Sequence, residues 1–204
     1  MKIPGILLAG AMAVVACGAD NVVERLTIHV YDHTTGSALT VRRAVAIAQG
    51  VFRASGIETD WQVCSLSGKA TCDAGRRSGD LEFHVVPHNL DPRCSTESLG
   101  TAVRQVSATY RAYAFYDRVA RFAHDGEFFP EVVLGQVMAH EVGHLLGLGH
   151  SSEGVMHSRL NAGDIREASR GRLTFDRTEA RILQAAIILR GAAAPSAGLV
   201  AGIR

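Results

Sequence analysis

The sequence predicts an α+β domain in which a twisted, mixed five-stranded sheet packs against helices, one mid-chain and one near the C-terminus. The chain has 204 residues and is 47% hydrophobic, which suits one ordinary core better than two. Segments with a two-residue apolar period alternate with segments of helical period. No internal repeat is visible, and no interior stretch reaches the roughly 20 apolar residues that a membrane span requires. One domain, over residues 20–190, is therefore expected.

Residues 1–19 are predicted to be an export signal. Lys2 precedes the apolar stretch Ile6–Ala16, which is too short to cross a bilayer. Two outcomes stay open: cleavage near Ala19, or lipidation at Cys17, where the sequence resembles a bacterial lipobox. Either outcome places the mature protein outside the cytoplasm, secreted, periplasmic or lipid-anchored, where disulfides persist.

The first half of the domain is predicted to contain three strands and one helix. Apolar and polar residues alternate over Arg25–Tyr31, as in a half-buried strand. Apolar residues recur at helical spacing over Val41–Phe52, and Gly56 is a suitable stop. Two further strands are expected at Thr59–Cys64 and Leu81–Val86.

Besides Cys17, the chain has three cysteines, Cys64, Cys72 and Cys94. One disulfide among them is expected, and all three pairings remain open because sequence alone does not fix connectivity. None of the three belongs to a CxxC pair, so metal binding by cysteine is not expected.

The second half is predicted to contain two strands, Leu99–Val106 and the aromatic-rich Thr109–Val119, and a helix from Pro130 to Gly147. Proline suits a first helical turn, and glycine suits a helix end.

A final helix is expected after Asp176. This residue can cap the helix while Glu179 completes a capping box, and the helix should end near Arg190. The Ala- and Gly-rich tail 191–204 is expected to be poorly ordered.

Residues 140–150 read HEVGHLLGLGH and carry the predicted chemistry. His140 and His144 stand about one helical turn apart on nearly the same face, so both can reach one metal ion. Glu141 is offset by one residue and can reach a water molecule beside that metal as a general base. Gly147 can turn the chain sharply, so that His150 supplies a third imidazole. Three histidines leave the fourth zinc position open, which is typical of a catalytic site.

This motif resembles that of the metzincin zinc metalloproteases, and Ser151 after the third histidine makes it most similar to the matrixin branch. The segment ending at Met156 resembles the family's methionine turn, which supports the zinc site without binding the ion. The resemblance implies a zincin fold, one catalytic Zn²⁺ and hydrolysis of internal peptide bonds in extended polypeptides by a monomeric enzyme.

Four residues, Leu99, Gly100, Thr101 and Ala102, resemble the family's edge strand, which implies that they bind an extended substrate by strand addition. The chain departs from the family at His157 and Ser158, where matrixins usually have Tyr and Pro. His157 is interpreted either as part of the wall of the pocket for the residue that follows the cut or as a surface residue.

Two other functions on the same motif are weighed: a noncatalytic zinc-binding or adhesion module, and a zinc hydrolase of cell-wall amides. The base at Glu141 disfavours the first, and the peptide-pairing strand near Gly100 disfavours the second. Net charge is +1 without a block of like charges, so no nucleic-acid partner is expected.

Overall fold

The computed structural model describes residues 25–64, 72, 76–77, 79–89, 95–104 and 110–193. The predicted export signal, Cys17, Cys94 and residues 194–204 lie outside the described residues. The strands are β1 (Leu26–Asp32), β2 (Thr59–Cys64), β3 (Leu81–Val86), β4 (Gly100–Arg104) and β5 (Tyr110–Phe115). The helices are α1 (Ala38–Ala54), α2 (Tyr116–Asp125), α3 (Pro130–Leu145), α4 (Ala162–Ser169) and α5 (Arg177–Ala193).

The five strands form one mixed sheet in the order β2-β1-β3-β5-β4, which confirms the predicted α+β class. Strands β2, β1, β3 and β5 run parallel, and β4 pairs antiparallel with β5. Within the described residues β4 pairs with β5 alone, so it forms one edge of the sheet. An edge strand presents backbone N–H and C=O groups that can pair with another extended chain.

The core lies where α1 and α3 pack together over the sheet. The apolar stripe of α1, including Val41, Ala44 and Ala48, is fully buried. Gly135 of α3 sits at the contact, because a Cβ there would lie 2.7 Å from a methyl carbon of Ile47. The absence of a side chain at this position is what lets the two helices approach so closely.

The predicted strand Thr109–Val119 is wrong in its second half. The strand ends at Phe115, and α2 begins at Tyr116. The aromatic content suggested one long strand, but Val119, Phe122 and Ala123 recur at helical spacing and pack into the core. Burial of that helical stripe outweighed the local strand preference of the aromatic residues.

Two further differences concern helices. Helix α4 was not predicted, and α5 continues to Ala193, past the expected end near Arg190. One glycine costs a helix only about 1 kcal/mol relative to alanine, so Gly191 does not end α5. The predicted capping box is present: the Glu179 amide donates to Asp176 Oδ1 at 2.7 Å, and the Asp176 amide donates to Glu179 Oε2 at 2.8 Å.

The structure joins Cys64 to Cys72 in a disulfide, with Cα atoms 5.9 Å apart. The bond ties the end of β2 to the segment that precedes β3. Near it, His29 is buried on β1 with its Nε2 3.0 Å from Asp80 Oδ2. None of the helices in the described part of the chain is long and apolar enough to cross a membrane.

The contact between α1 and α3 predicts opposite effects for two glycine substitutions. Gly135→Ala should lower the free energy of unfolding by about 1–3 kcal/mol, because the added methyl group overlaps Ile47 and the Ala44 carbonyl. Gly50→Ala is the matched control within α1, where nothing lies within 4 Å of an added Cβ. It should raise stability by about 0.5–1 kcal/mol through helix propensity. Urea unfolding tests both, and equal effects at the two positions would contradict the close contact.

Candidate metal centre and active-site cleft

Helix α3 brings the predicted histidines together. It begins with Pro130 at its first turn and places His140 and His144 one turn apart, with their Nε2 atoms separated by 3.0 Å. Nε2 of His150 lies 3.2 Å from Nε2 of His144. One ring nitrogen of each residue therefore points to a common centre, all within 4.8 Å of one another.

The end of α3 returns the chain to that centre. Gly147 has φ of +101°, a conformation that glycine adopts without steric cost. The Gly147 amide donates to the His144 carbonyl at 3.0 Å, and the Leu148 amide donates to the Gly143 carbonyl at 3.0 Å. These two bonds form a Schellman motif, which ends the helix and reverses the chain toward His150.

Two backbone carbonyls fix the rings of His140 and His144. Nδ1 of His140 donates to the Val155 carbonyl at 2.8 Å, and Nδ1 of His144 donates to the Leu148 carbonyl at 2.9 Å. A carbonyl oxygen only accepts, so each Nδ1 carries the proton and each Nε2 presents a lone pair. Burial lowers the pKa of His140 to about 4 and also lowers the pKa of His144. A second proton on these rings is therefore disfavoured.

This arrangement fits a zinc ion. Three imidazole nitrogens converge, and two of them must carry lone pairs that face each other without a proton between them. A cation at the centre satisfies all three, and the carbonyls behind the rings set the tautomer that a metal ligand needs. The described residues also bring His29 near Cys64 and Cys72, but those sulfurs are bonded to each other and offer no thiolate.

The predicted methionine turn lies beneath the histidines. The Ser151 amide donates to the Met156 carbonyl at 2.9 Å, which closes the turn that presents Val155 to His140. Met156 is fully buried, and a Cβ at Gly143 would lie 2.7 Å from its sulfur. Gly143 was not singled out in the sequence, although a glycine inside a helix is a sign of close packing.

Glu141 lies under the edge strand. Its side chain is almost fully buried, and a Cβ at Gly100 would lie 2.8 Å from Glu141 Oε1 and 2.6 Å from the Tyr113 carbonyl. The carboxyl group therefore sits against the bare backbone of β4. Burial raises the pKa of Glu141 to about 8. A dication bound by the neighbouring histidines would favour the charged form and act in the opposite direction.

The histidines and Glu141 open into a cleft of about 800 Å³. Residues 99–102, predicted to bind substrate, form one rim, and residues 157–160 form the other. Arg159, in the second rim, has its Nη2 3.3 Å from Glu97 Oε2, and both side chains are exposed. The cleft thus lies beside β4, the edge strand of the described sheet, and all three histidines line it.

Comparison with known proteins agrees with this geometry. Residues 79–179, which include all three histidines and Met156, match the matrixin family model. Over this segment the chain is similar to the matrixins. Nine chains of solved structures resemble its fold. One is archaemetzincin from Methanopyrus kandleri, with a TM-score of 0.50, 18% identity, and coverage of 86% of this chain and 99% of that chain. No curated protein matches the sequence.

The likeness to archaemetzincin shows the fold, and the matrixin match supports a zinc metallopeptidase family for this chain. The matched segment begins just before β3 and ends at Glu179, early in α5. It therefore contains both rims of the cleft and the methionine turn of the matrixin-like chain.

His157, the departure from the matrixin pattern, lines the cleft and is held by a residue that sequence reasoning missed. Its Nδ1 lies 2.9 Å from Asp164 Oδ2. The same carboxylate oxygen accepts from the Asn161 amide at 2.9 Å, and Asn161 caps α4 in return. An Asn three residues before an Asp is a capping-box pattern, so the missed helix had a visible start signal.

The raised pKa of Glu141 predicts a pH dependence for the metal-free protein. In the folded state Glu141 keeps its proton up to about pH 8, whereas in the unfolded chain it releases it near pH 4.5. Stability from this group is therefore fully present below about pH 4.5 and is lost as pH rises from there to about 8. His140 also affects the pH dependence of stability, but because its pKa is lowered from 6.5, it does so only below about pH 6.5. Between pH 6.5 and 8, wild type should lose roughly 1–2 kcal/mol relative to Glu141→Gln.

Urea unfolding with a chelator present, at pH 6.5 and 8, measures this difference. Glu131→Gln, in the first turn of the same helix, is the control and should follow wild type. Parallel pH dependence of wild type and Glu141→Gln would contradict the buried, protonated state of Glu141.

Proposed function

We propose that the matrixin-like chain is a zinc-dependent endopeptidase that hydrolyses internal peptide bonds of extended polypeptides. The observation that carries the proposal is the convergence of three Nε2 atoms beside a buried glutamate, in a cleft along a free strand edge. His140, His144 and His150 would hold one zinc ion. When bound, that ion would supply Lewis-acid chemistry, polarising a peptide carbonyl and acidifying a water molecule.

The chain's own residues would perform the remaining steps. Glu141 accepts a proton from the attacking water at its carboxylate and then delivers it to the leaving nitrogen. Its position against Gly100 places this carboxylate directly below the strand that would hold the substrate. Gly147 and Met156 act only through the histidines. Gly147 ends α3, and Met156 packs against that helix at Gly143.

The edge strand β4 would align the substrate. An extended peptide can add to the free edge through main-chain hydrogen bonds, with residues 99–102 as the pairing segment. His157 would contribute to the opposite wall, oriented by Asp164. We further propose that the enzyme works as a monomer outside the cytoplasm, after removal of residues 1–19 or lipidation at Cys17. The Cys64–Cys72 disulfide supports an oxidising compartment.

Glu141→Gln tests the role of the base. Zinc-loaded wild type should cut a diverse unstructured peptide library internally, and a chelator should stop the reaction. Glu141→Gln should retain zinc yet lose at least about 100-fold in kcat/KM, the scale of a general base. The control is Glu131→Gln, because Glu131 pairs with Arg43 at 3.1 Å outside the cleft.

Three outcomes separate the alternatives. Retained turnover in a zinc-loaded Glu141→Gln protein would contradict the role of this residue. No cleavage of any peptide by folded, zinc-loaded wild type would favour a noncatalytic binding module. Cleavage of cell-wall fragments alone would favour the amide hydrolase.

Gly100→Ala tests the contact between β4 and the base. The added methyl group would lie within 3 Å of the Glu141 carboxylate and the Tyr113 carbonyl, so one of them must shift. A displacement of about 1 Å at a catalytic group can reduce rates about 100-fold, and a loss of that order in kcat/KM is expected. Gly149→Ala, near His150 but with nothing within 4 Å of its Cβ, should stay within a few-fold of wild type. Equal activity of the two variants would contradict the contact.

A further inference from the structure

A second group of potential metal ligands lies near the β2 edge of the sheet, on the opposite side from the cleft. Strand β1 pairs with β2 in the register His29↔Gln62, so His29 and Cys64 are diagonal neighbours on one face of the sheet. One ring nitrogen of His29 and the sulfur atoms of Cys64 and Cys72 all lie within 4.8 Å of one another. The spacing of the cysteines did not indicate this group, because the strand pairing supplies the histidine.

The group contains ligand types that zinc prefers. Imidazole nitrogen and thiolate sulfur occur together in structural zinc sites. His29 and Cys64 are each only 1% exposed. Cys72 is partly exposed, which leaves an approach from solvent. The disulfide occupies both sulfurs, so thiolates exist here only when that bond is reduced.

The ring of His29 is held with one nitrogen unpaired. Its Nε2 lies 3.0 Å from Asp80 Oδ2, and because a carboxylate only accepts, Nε2 donates and carries the proton. The same oxygen accepts from the Arg77 amide at 2.8 Å, which fixes the carboxylate. Nδ1 of His29 is buried and has no hydrogen-bond partner within the described part of the chain. Buried polar atoms are nearly always paired, so this nitrogen needs an explanation.

A carboxylate behind a histidine is a frequent companion of a metal ligand. It orients the ring and makes the nitrogen that faces the ion more basic. Backbone carbonyls do the same for two histidines of the cleft. Asp80 does it for His29, and the nitrogen that it leaves free is Nδ1. A metal ion bound at Nδ1 would satisfy the one ring atom that the protein leaves unpaired.

We propose that the reduced chain binds a second zinc ion through Nδ1 of His29 and the thiolates of Cys64 and Cys72, with Asp80 holding the histidine ring. A dithiol supplies two electrons and two protons, so that the Cys64–Cys72 bond breaks, two thiols form and the dithiol becomes a disulfide. Zinc then displaces both thiol protons to water. The ion ties the end of β2 to the segment before β3, the connection that the disulfide makes in the oxidised chain. This site is independent of the proposed peptidase function, because none of its residues lines the cleft.

Cobalt(II) reports thiolate ligands directly, because a bound thiolate gives an intense sulfur-to-cobalt charge-transfer band that imidazole does not. The test protein is the full chain with Cys17→Ser and Cys94→Ser, in which Cys64 and Cys72 are the only cysteines. A phosphine reductant opens the disulfide, takes up the oxygen of a water molecule and adds no thiol. Reduced protein should bind one more cobalt per chain than oxidised protein and show the band, which oxidised protein should lack. The same cobalt content in both forms, with no band from reduced protein that circular dichroism shows to be folded, would overturn the inference.

Three substitutions in this protein separate a built site from two loose thiols. His29→Gln removes the imidazole but keeps an amide that can donate to Asp80, and it should weaken cobalt binding to the reduced form at least about 10-fold. Asp80→Asn keeps all three ligands and should also weaken binding about 10-fold, the scale of a partner behind the ligand. His33→Gln is the control, because His33 is exposed and pairs with His84 at 2.9 Å. Unchanged affinity in both His29→Gln and Asp80→Asn would show that the cysteines alone hold the metal and would overturn the inference.

Zinc X-ray absorption of the same cysteine-reduced chain needs no change at the site itself. The reduced protein should contain two zinc ions per chain with sulfur at about 2.3 Å, and the protein purified without reductant should contain one zinc and no sulfur ligand. Sulfur-bound zinc without a three-histidine site would retain this proposal and reject the metal centre of the peptidase. A three-histidine site in both forms, without sulfur in the reduced one, would do the reverse.

Discussion

Two hydrogen bonds from histidine Nδ1 atoms to backbone carbonyls are the constraint on which the rest of the site depends. The Val155 and Leu148 carbonyls hold His140 and His144 in the tautomer whose free nitrogens face each other. Without a cation, these lone pairs repel, and burial opposes their protonation. The fold therefore holds an arrangement that is unfavourable alone and favourable around a metal ion. Metal binding and the local fold are coupled for this reason.

Three glycines make this arrangement possible, each where a side chain would collide with a neighbouring segment. Gly135 lets α1 support α3, Gly143 admits Met156 beneath the helix, and Gly100 admits Glu141 beneath β4. The free energy lost by placing glycine in regular structure is offset by the close contacts that it allows. The site is thus positioned by the core on one side and by the sheet edge on the other.

Sequence reasoning predicted the parts of this fold whose signals are local. Local strand signals located β1 to β3, and the fixed spacing of the HEVGHLLGLGH segment placed His140 and His144 on one helix, after which the chain turns at Gly147 to bring in His150. It misassigned the stretch from Tyr116, because only burial against the core distinguishes that helix from a continued strand. Gly143 packs on Met156, which is distant from it in sequence, and the Gln136 side-chain oxygen has no hydrogen-bond partner among the described residues. No local pattern reports either one.

X-ray absorption spectroscopy of the purified protein loaded with zinc, together with its metal content, tests whether three imidazoles share one metal ion. We expect one zinc per chain, with three histidine nitrogens and one further light atom at about 2.0–2.1 Å. Sulfur scattering at about 2.3 Å, or a shell with fewer than three imidazoles, would contradict it.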